Sequence, residues 1–178
     1  MRHVISVLLQ NEVGALTRMT GLFSTRGYNI DSLNVAPTEN SLVSRVTLVI
    51  SGSDEAIAQL NSQLGKLVDV LYIHDMTLDK YFEYELVIIK IDLFDKSISE
   101  MEILVNEYDA ELLDNQINSY TVQITAKLEN INAFIDKVSQ LGELQAIARS
   151  GSVAVSKGQV KLSSYEKNFL RIKPSIIT

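Results

Sequence analysis

Few side chains in this 178-residue chain are equipped for catalysis. It has two histidines, His3 and His74, and no cysteine. Each histidine sits in or beside an apolar run of strand type, and neither belongs to a pair at metal-ligand spacing, so both read as structural. No Gly-x-Ser-x-Gly elbow and no phosphate-cradling glycine loop of the Walker type is present. Carboxylates are plentiful but scattered. Asp54, Glu55, Glu100 and Glu102 fall at helix starts, where negative charge complements the helix dipole. No pair stands out as a general acid and base. The expectation is therefore no catalytic residues and no metal ligands.

The stretch that can bind something is Asn11-Glu12-Val13-Gly14-Ala15-Leu16-Thr17-Arg18, which joins a strand to a helix. First-turn amides of a helix have no carbonyl of their own to meet, and they suit a carboxylate or phosphate. Gly14 has no side chain to hold a ligand off the backbone. Asn11 is open to two readings, as N-cap of the helix or as a ligand amide.

The elements around this stretch alternate in a regular order. His3–Leu9 is a strand by length and content. A helix from about Gly14 carries Ala15, Leu16, Met19, Leu22 and Phe23 on one stripe and stops at Gly27. Residues 28–36 form a second strand. Residues 42–51 form a third, with Val46, Leu48 and Ile50 on one face and Arg45 and Thr47 on the other. A helix from Asp54 repeats Ile57, Leu60, Leu64 and Leu67, and residues 68–77 form a fourth strand. The second half repeats this order. It has a strand over 84–93 and a helix opened by the capping box Ser97-Ile98-Ser99-Glu100, with Ile98, Met101, Val105 and Tyr108 on its stripe. A short strand over 111–114 and a turn over 115–118 follow. Next come an alternating strand over 120–126, a helix capped by Asn130, and a last strand over 144–155 with Gly151 as a bulge. The fold class is α+β, two ferredoxin-like βαββαβ domains joined near Asp79-Lys80-Tyr81. The domain bounds are 1–78, 82–158 and a basic tail, 159–178.

The formal charge is −6, which disfavours a nucleic-acid coat. Lys157, Lys161, Lys167, Arg171 and Lys173 against Glu166 make the C-terminus basic and leave the body acidic. No run spans a bilayer and no leader peptide is recognisable, so a cytoplasmic protein with no membrane partner is expected.

Asn-Glu-x-Gly-Ala-Leu at residues 11–16 is similar to the ACT amino-acid-sensing domain. The run from Gly21 to Leu33, with Val35-Ala36-Pro37-Thr38, resembles the small regulatory subunit family of acetolactate synthase. Leu64–Val70, Ala148–Gly151 and Ser156–Gly158 agree, so the resemblance covers about residues 1–158. It implies a non-catalytic subunit that activates a large catalytic subunit and confers feedback inhibition by valine, leucine or isoleucine. It also implies a homodimer through the N-terminal ACT domains. Thiamine diphosphate, Mg and FAD would sit on the catalytic partner alone, this chain binding no cofactor beyond its effector. The implied effector residues are Asn11, Gly14, Ala15, Leu16, Asn29, Ile30 and Val35, with Asn29 reaching in from the partner chain. Turn geometry remains the other reading of Asn29, and core packing that of Ile30 and Val35. Val13 stands where a small polar residue is familiar in that family.

Overall fold

A computed structural model of the chain describes residues 1–94, 97–116 and 119–158. The basic segment 159–178 and the last two residues of the expected 115–118 turn lie outside the described residues. The chain forms two compact units. One is Met1–Phe82 together with the described residues from Ala154 onward, and the other is Glu83–Val153.

In the first unit β1 (Arg2–Gln10), α1 (Ala15–Thr25), β2 (Ile30–Pro37), β3 (Val43–Ser51), α2 (Asp54–Leu64) and β4 (Val70–Asp75) follow in order. The strands make one antiparallel sheet in the order β2-β3-β1-β4. One face carries Ile5, Val7, Leu9, Val46, Leu48 and Ile50, and it packs against Met19 and Phe23 of α1 and Ile57, Leu60 and Leu64 of α2. Both helices thus cover a single face, as the periodicity requires. The start of α2 is set by Ser53, whose hydroxyl accepts from the Ala56 amide, with Asp54 and Glu55 in the first turn.

The second unit contains β5 (Tyr81–Leu93), α3 (Ile98–Glu107), β6 (Glu111–Gln116), β7 (Ser119–Ala126), α4 (Leu128–Val138) and β8 (Gly142–Arg149), with β5 starting just inside the first unit. The sheet order β6-β7-β5-β8 repeats that of the first unit. Its core joins Val87, Ile89, Ile91, Val122 and Ile124 to Met101, Ile131, Phe134 and Val138. The last strand, β9 (Val153–Ser156), pairs with β5. Each half is therefore a βαββαβ unit of the ferredoxin-like type.

Several local expectations are corrected. The strand expected over 68–77 stops at Asp75, whose carboxylate accepts the Thr77 amide at 3.0 Å and starts a single 3-10 turn, Met76–Leu78. Thr77 then accepts the Val4 amide at 2.9 Å. The segment read as a joint near Tyr81 is already strand β5. The second face of β3, left open by its alternation, is covered. Thr47 and Val49 are buried, and Val49 packs with Val4, Met76 and Ala154. The capping box at Ser97 does not form, because Ser97 has ψ near 2° rather than the extended backbone a side-chain cap needs. Ile98 is exposed, whereas Met101, Val105 and Tyr108 of the expected stripe face the core and Leu104 joins them. Lys127, not Asn130, stands at the N-cap of α4, and the Ile131 amide bonds its carbonyl at 3.0 Å. The strand expected over 144–155 is two strands, because the chain turns at Gly151 with φ 72° instead of bulging through it.

Gly142 opens β8 against Leu93, and a Cβ there would collide with the Asp92 carbonyl of β5. The obstacle is backbone, which cannot rotate aside. Gly142→Ala is expected to cost about 1–3 kcal/mol in a urea unfolding titration of the full chain, the range for an overpacked site.

Candidate effector site at the start of the first helix

Strand β1 ends at Gln10, whose amide donates to the Asp69 carbonyl at 2.8 Å. The next amide, Asn11, donates to the Leu42 carbonyl at 2.8 Å. The Asn11 side-chain amide donates to the Ser41 carbonyl at 2.9 Å. One side of the β1–α1 loop is thus tied to the β2–β3 loop and the other to the approach of β4. Asn11 does not cap α1. The N-cap is Gly14, in the left-handed region at φ 84°, with no side-chain cap bond. An L-residue is disfavoured there by about 1–2 kcal/mol.

The Ala15 amide is engaged by the Glu12 carbonyl at 3.2 Å. The first bond of the helix proper is Arg18 N to Gly14 O at 2.9 Å. Leu16 and Thr17 come before that donor, so their amides have no carbonyl of their own helix to meet. Ala15 turns its methyl into the core, Leu16 is partly exposed, and Val13 points fully into solvent.

Arg18 crosses back over this turn. Its Nε donates to Asp69 Oδ2 at 2.6 Å and its Nη2 to Asp69 Oδ1 at 2.8 Å, a two-pronged pair. The Asp69 side chain is 4% exposed and that of Arg18 is 49% exposed. A Cβ built on Gly14 would lie 2.8 Å from Arg18 Nη1, so the glycine and the guanidinium share one space. Hydrogen bonding from Arg18 holds the Asp69 carboxyl below its usual range, and the same bond raises Arg18.

The remaining expected residues lie elsewhere in the chain. Asn29 is exposed, and its side-chain amide reaches Asp31 at a long 3.4 Å. Ile30 packs against the inner core, and Val35 is exposed on the same strand. Their partners Ile50 and Val46 face the helices, which puts both on the helix side of the sheet. Ile30 pairs with Ile50, and Ile50 with His3. At about 3.3 Å per residue, that end of the sheet is roughly 23 Å from Gln10. One chain therefore gathers Asn11, Gly14, Ala15 and Leu16 at one end and places Asn29 and Ile30 at the other.

Two residues of the site were given no role from sequence. Arg18 lies one turn beyond Gly14, and Asp69 is a charge set inside the apolar run Leu67-Val68-Asp69-Val70. A lone acid in such a run is the signal that it needs a buried partner. The histidines are bound into the frame. His3 is buried with Nδ1 3.1 Å from Asp75 Oδ2 and Nε2 3.3 Å from Asp54 Oδ1, and His74 Nε2 is 2.9 Å from Asp79 Oδ2. Among the described residues no group of three or more His, Asp or Glu could hold a metal ion, and no helix is long and apolar enough to cross a membrane.

Because the folded-state pKa of Asp69 is depressed, the stabilisation from its pair is complete above the ordinary carboxylate range. It is lost as pH falls through the folded value. Denaturation of the wild type and Asp69→Asn across pH is expected to show a constant gap near neutrality. That gap should narrow only below about pH 4. A gap that instead changes around pH 6–7 contradicts this assignment.

Comparison with known proteins places this geometry in a family. Residues 5–72 match the model of the AHAS small subunit-like ACT domain, and residues 84–158 match that of the small subunit of acetolactate synthase. The acetolactate synthase small subunit of Haemophilus influenzae is 38% identical over 89% of this chain and 98% of its own length. The small subunit of acetolactate synthase isozyme 3 from Escherichia coli K12 is 37% identical over 89% of this chain and 97% of its own. The crystal structure of the small subunit from Thermotoga maritima superposes with a TM-score of 0.81 at 29% identity, covering 90% of this chain and 99% of that one. With an ACT domain in its first unit and relatives matched over nearly their whole length, the chain belongs to the acetolactate synthase small-subunit family.

Proposed function

We propose that this chain is the regulatory subunit of acetolactate synthase, working in the cytoplasm. It docks on the large catalytic subunit, which carries thiamine diphosphate, Mg and FAD and condenses two 2-ketoacids. It raises that subunit's activity and makes it sensitive to a branched-chain amino acid, with L-valine the first candidate. The observation that carries the reading is the turn at Gly14. A left-handed glycine, two first-turn amides without helical partners and a fixed guanidinium meet at one helix end. These are the groups an α-carboxylate requires.

The rest of the effector site comes from a second copy. Strand β2 is the outer strand of its sheet, with β3 as its neighbour. Antiparallel pairing of two β2 strands near their middle brings one Ile30 towards the end of the other chain's strand, where Pro37 lies. Pro37 pairs with Ser44, and Ser44 with Leu9. The two-fold axis thus carries the partner's Asn29 to the end of the sheet where α1 starts, closing the gap that one chain leaves. Val35 and the partner's Ile30 then border the effector's aliphatic side chain. A site completed by two chains makes effector affinity depend on dimer geometry, and by linkage the effector shifts that geometry.

Acetolactate formation by the catalytic subunit is the direct assay. Added chain is expected to raise the rate, and L-valine to lower it. Gly14→Asp places a carboxylate where the effector's would lie and displaces Arg18. It should abolish inhibition at valine concentrations that saturate the wild type while keeping a cooperative thermal melt. Unchanged inhibition in that variant removes the site from the helix start. Asn29→Ala is expected to weaken valine binding by about 1–3 kcal/mol, the cost of leaving a buried polar group unpaired. Calorimetry showing no loss assigns Asn29 to the turn alone.

A further inference from the structure

The Arg18–Asp69 pair is more than a clamp on the helix start. A guanidinium has five N–H bonds in a rigid fork. The Nε hydrogen and one hydrogen of Nη2 go to Asp69. The Nη1 nitrogen lies on the other side of the fork, 2.8 Å from the place a Gly14 side chain would fill. That sets it beside Gly14, at the start of the helix whose first-turn amides belong to Leu16 and Thr17. Asp69 is buried and hydrogen-bonded along the full width of the fork, so the guanidinium cannot swing away without stranding a buried carboxylate. Its direction is therefore set before any ligand arrives.

We infer that Arg18 is the specificity-determining residue of the effector site: Asp69 holds its fork so that Nη1 donates to the effector's α-carboxylate. This rests on the reading that an amino acid binds at the start of α1. It adds the group that makes the site select a free carboxylate over an amide or ester. Helix amides by themselves accept any oxygen acceptor, whereas a charged donor of fixed direction strengthens the bond to an anion. The cost of ordering a long flexible side chain is met on folding, not on binding. Glycine at position 14 thus has a second use besides its φ of 84°, since a Cβ there would crowd Nη1 at 2.8 Å and push the guanidinium aside.

The test uses two ligands of nearly equal shape, L-valine and L-valinamide, which differ in the carboxylate. Each is titrated calorimetrically into the full chain, alone and with its catalytic subunit. The wild type is expected to bind valine at least tenfold more tightly than valinamide. Arg18→Gln should lose at least tenfold in valine affinity and less than threefold in valinamide affinity, so that the preference collapses. Arg18→Lys keeps the charge without the fork and should recover part of the preference. Asp69→Asn should lower it by loosening the fork. A clamp with no ligand contact would weaken both ligands by the same factor in Arg18→Gln, and that result, or no loss at all, overturns the inference while leaving the site in place. A wild type that binds valine and valinamide equally also overturns it. A wild type that binds no branched-chain amino acid in either state removes the underlying reading instead. If Arg18→Gln fails to melt cooperatively, the ratio in Arg18→Lys decides, and an unchanged ratio there with Asp69→Asn also unchanged counts against the inference.

Discussion

A carboxylate almost wholly withdrawn from water must be met by a positive charge, and in this fold Asp69 is met by Arg18. Much of the first unit's local geometry follows from that requirement. Arg18 lies back across the first turn of α1, and a glycine at position 14 leaves its guanidinium room there. A glycine there lets the chain leave β1 in a left-handed turn, and the helix then begins without a side-chain cap. The backbone of Asp69 is used as well, since its carbonyl takes the Gln10 amide that closes β1. One residue at the approach to β4 thus fixes the end of a strand and the start of a helix. The loop between them is held open and rigid, with amides facing outward.

The same economy holds at the scale of the sheet. In the first unit the helices cover one face, and residues of β1 and β3 on the other face are buried too. Ala154, far along the sequence, returns to pack with Val4 and Val49. The first unit is therefore completed by a segment that follows the second. Strand β2 is the outer strand of the sheet, and in the proposed dimer a second copy's β2 would reach the end of the sheet where α1 starts. In the proposed dimer, binding and dimerisation are linked through β2 and the loop.

Much of this was legible in the sequence. Apolar periods of two and of 3.6 give the element order in both halves, and the glycine-bearing joint between β1 and α1 marks where the first helix starts. Burial of the far sheet face was not legible. Arg45 and Thr47 were placed on the second face, but a strand's alternation does not reveal what returns to cover that face, and Ala154 returns from far along the chain. The capping box at Ser97 was a sequence match that the backbone at ψ near 2° does not realise. Asn11 was open between cap and ligand, and the cap reading fails, because Gly14 stands at the N-cap and the Asn11 side-chain amide goes to the Ser41 carbonyl of the neighbouring loop. Arg18 and Asp69 are 51 positions apart, a separation that local patterns do not bridge. Asn29 illustrates a further limit, since the strand register separates it from Gly14 within one chain, a distance that no local pattern in the sequence states.

The central claim is that the start of α1 is a stereospecific amino-acid site completed by a dimer. Isothermal titration of the full chain with L-valine and D-valine, alone and with the catalytic subunit, tests it most directly. The account predicts saturable binding of the L-enantiomer at one site per chain and no comparable binding of the D-enantiomer. Equal binding of both enantiomers, or none of either in both states, would contradict it.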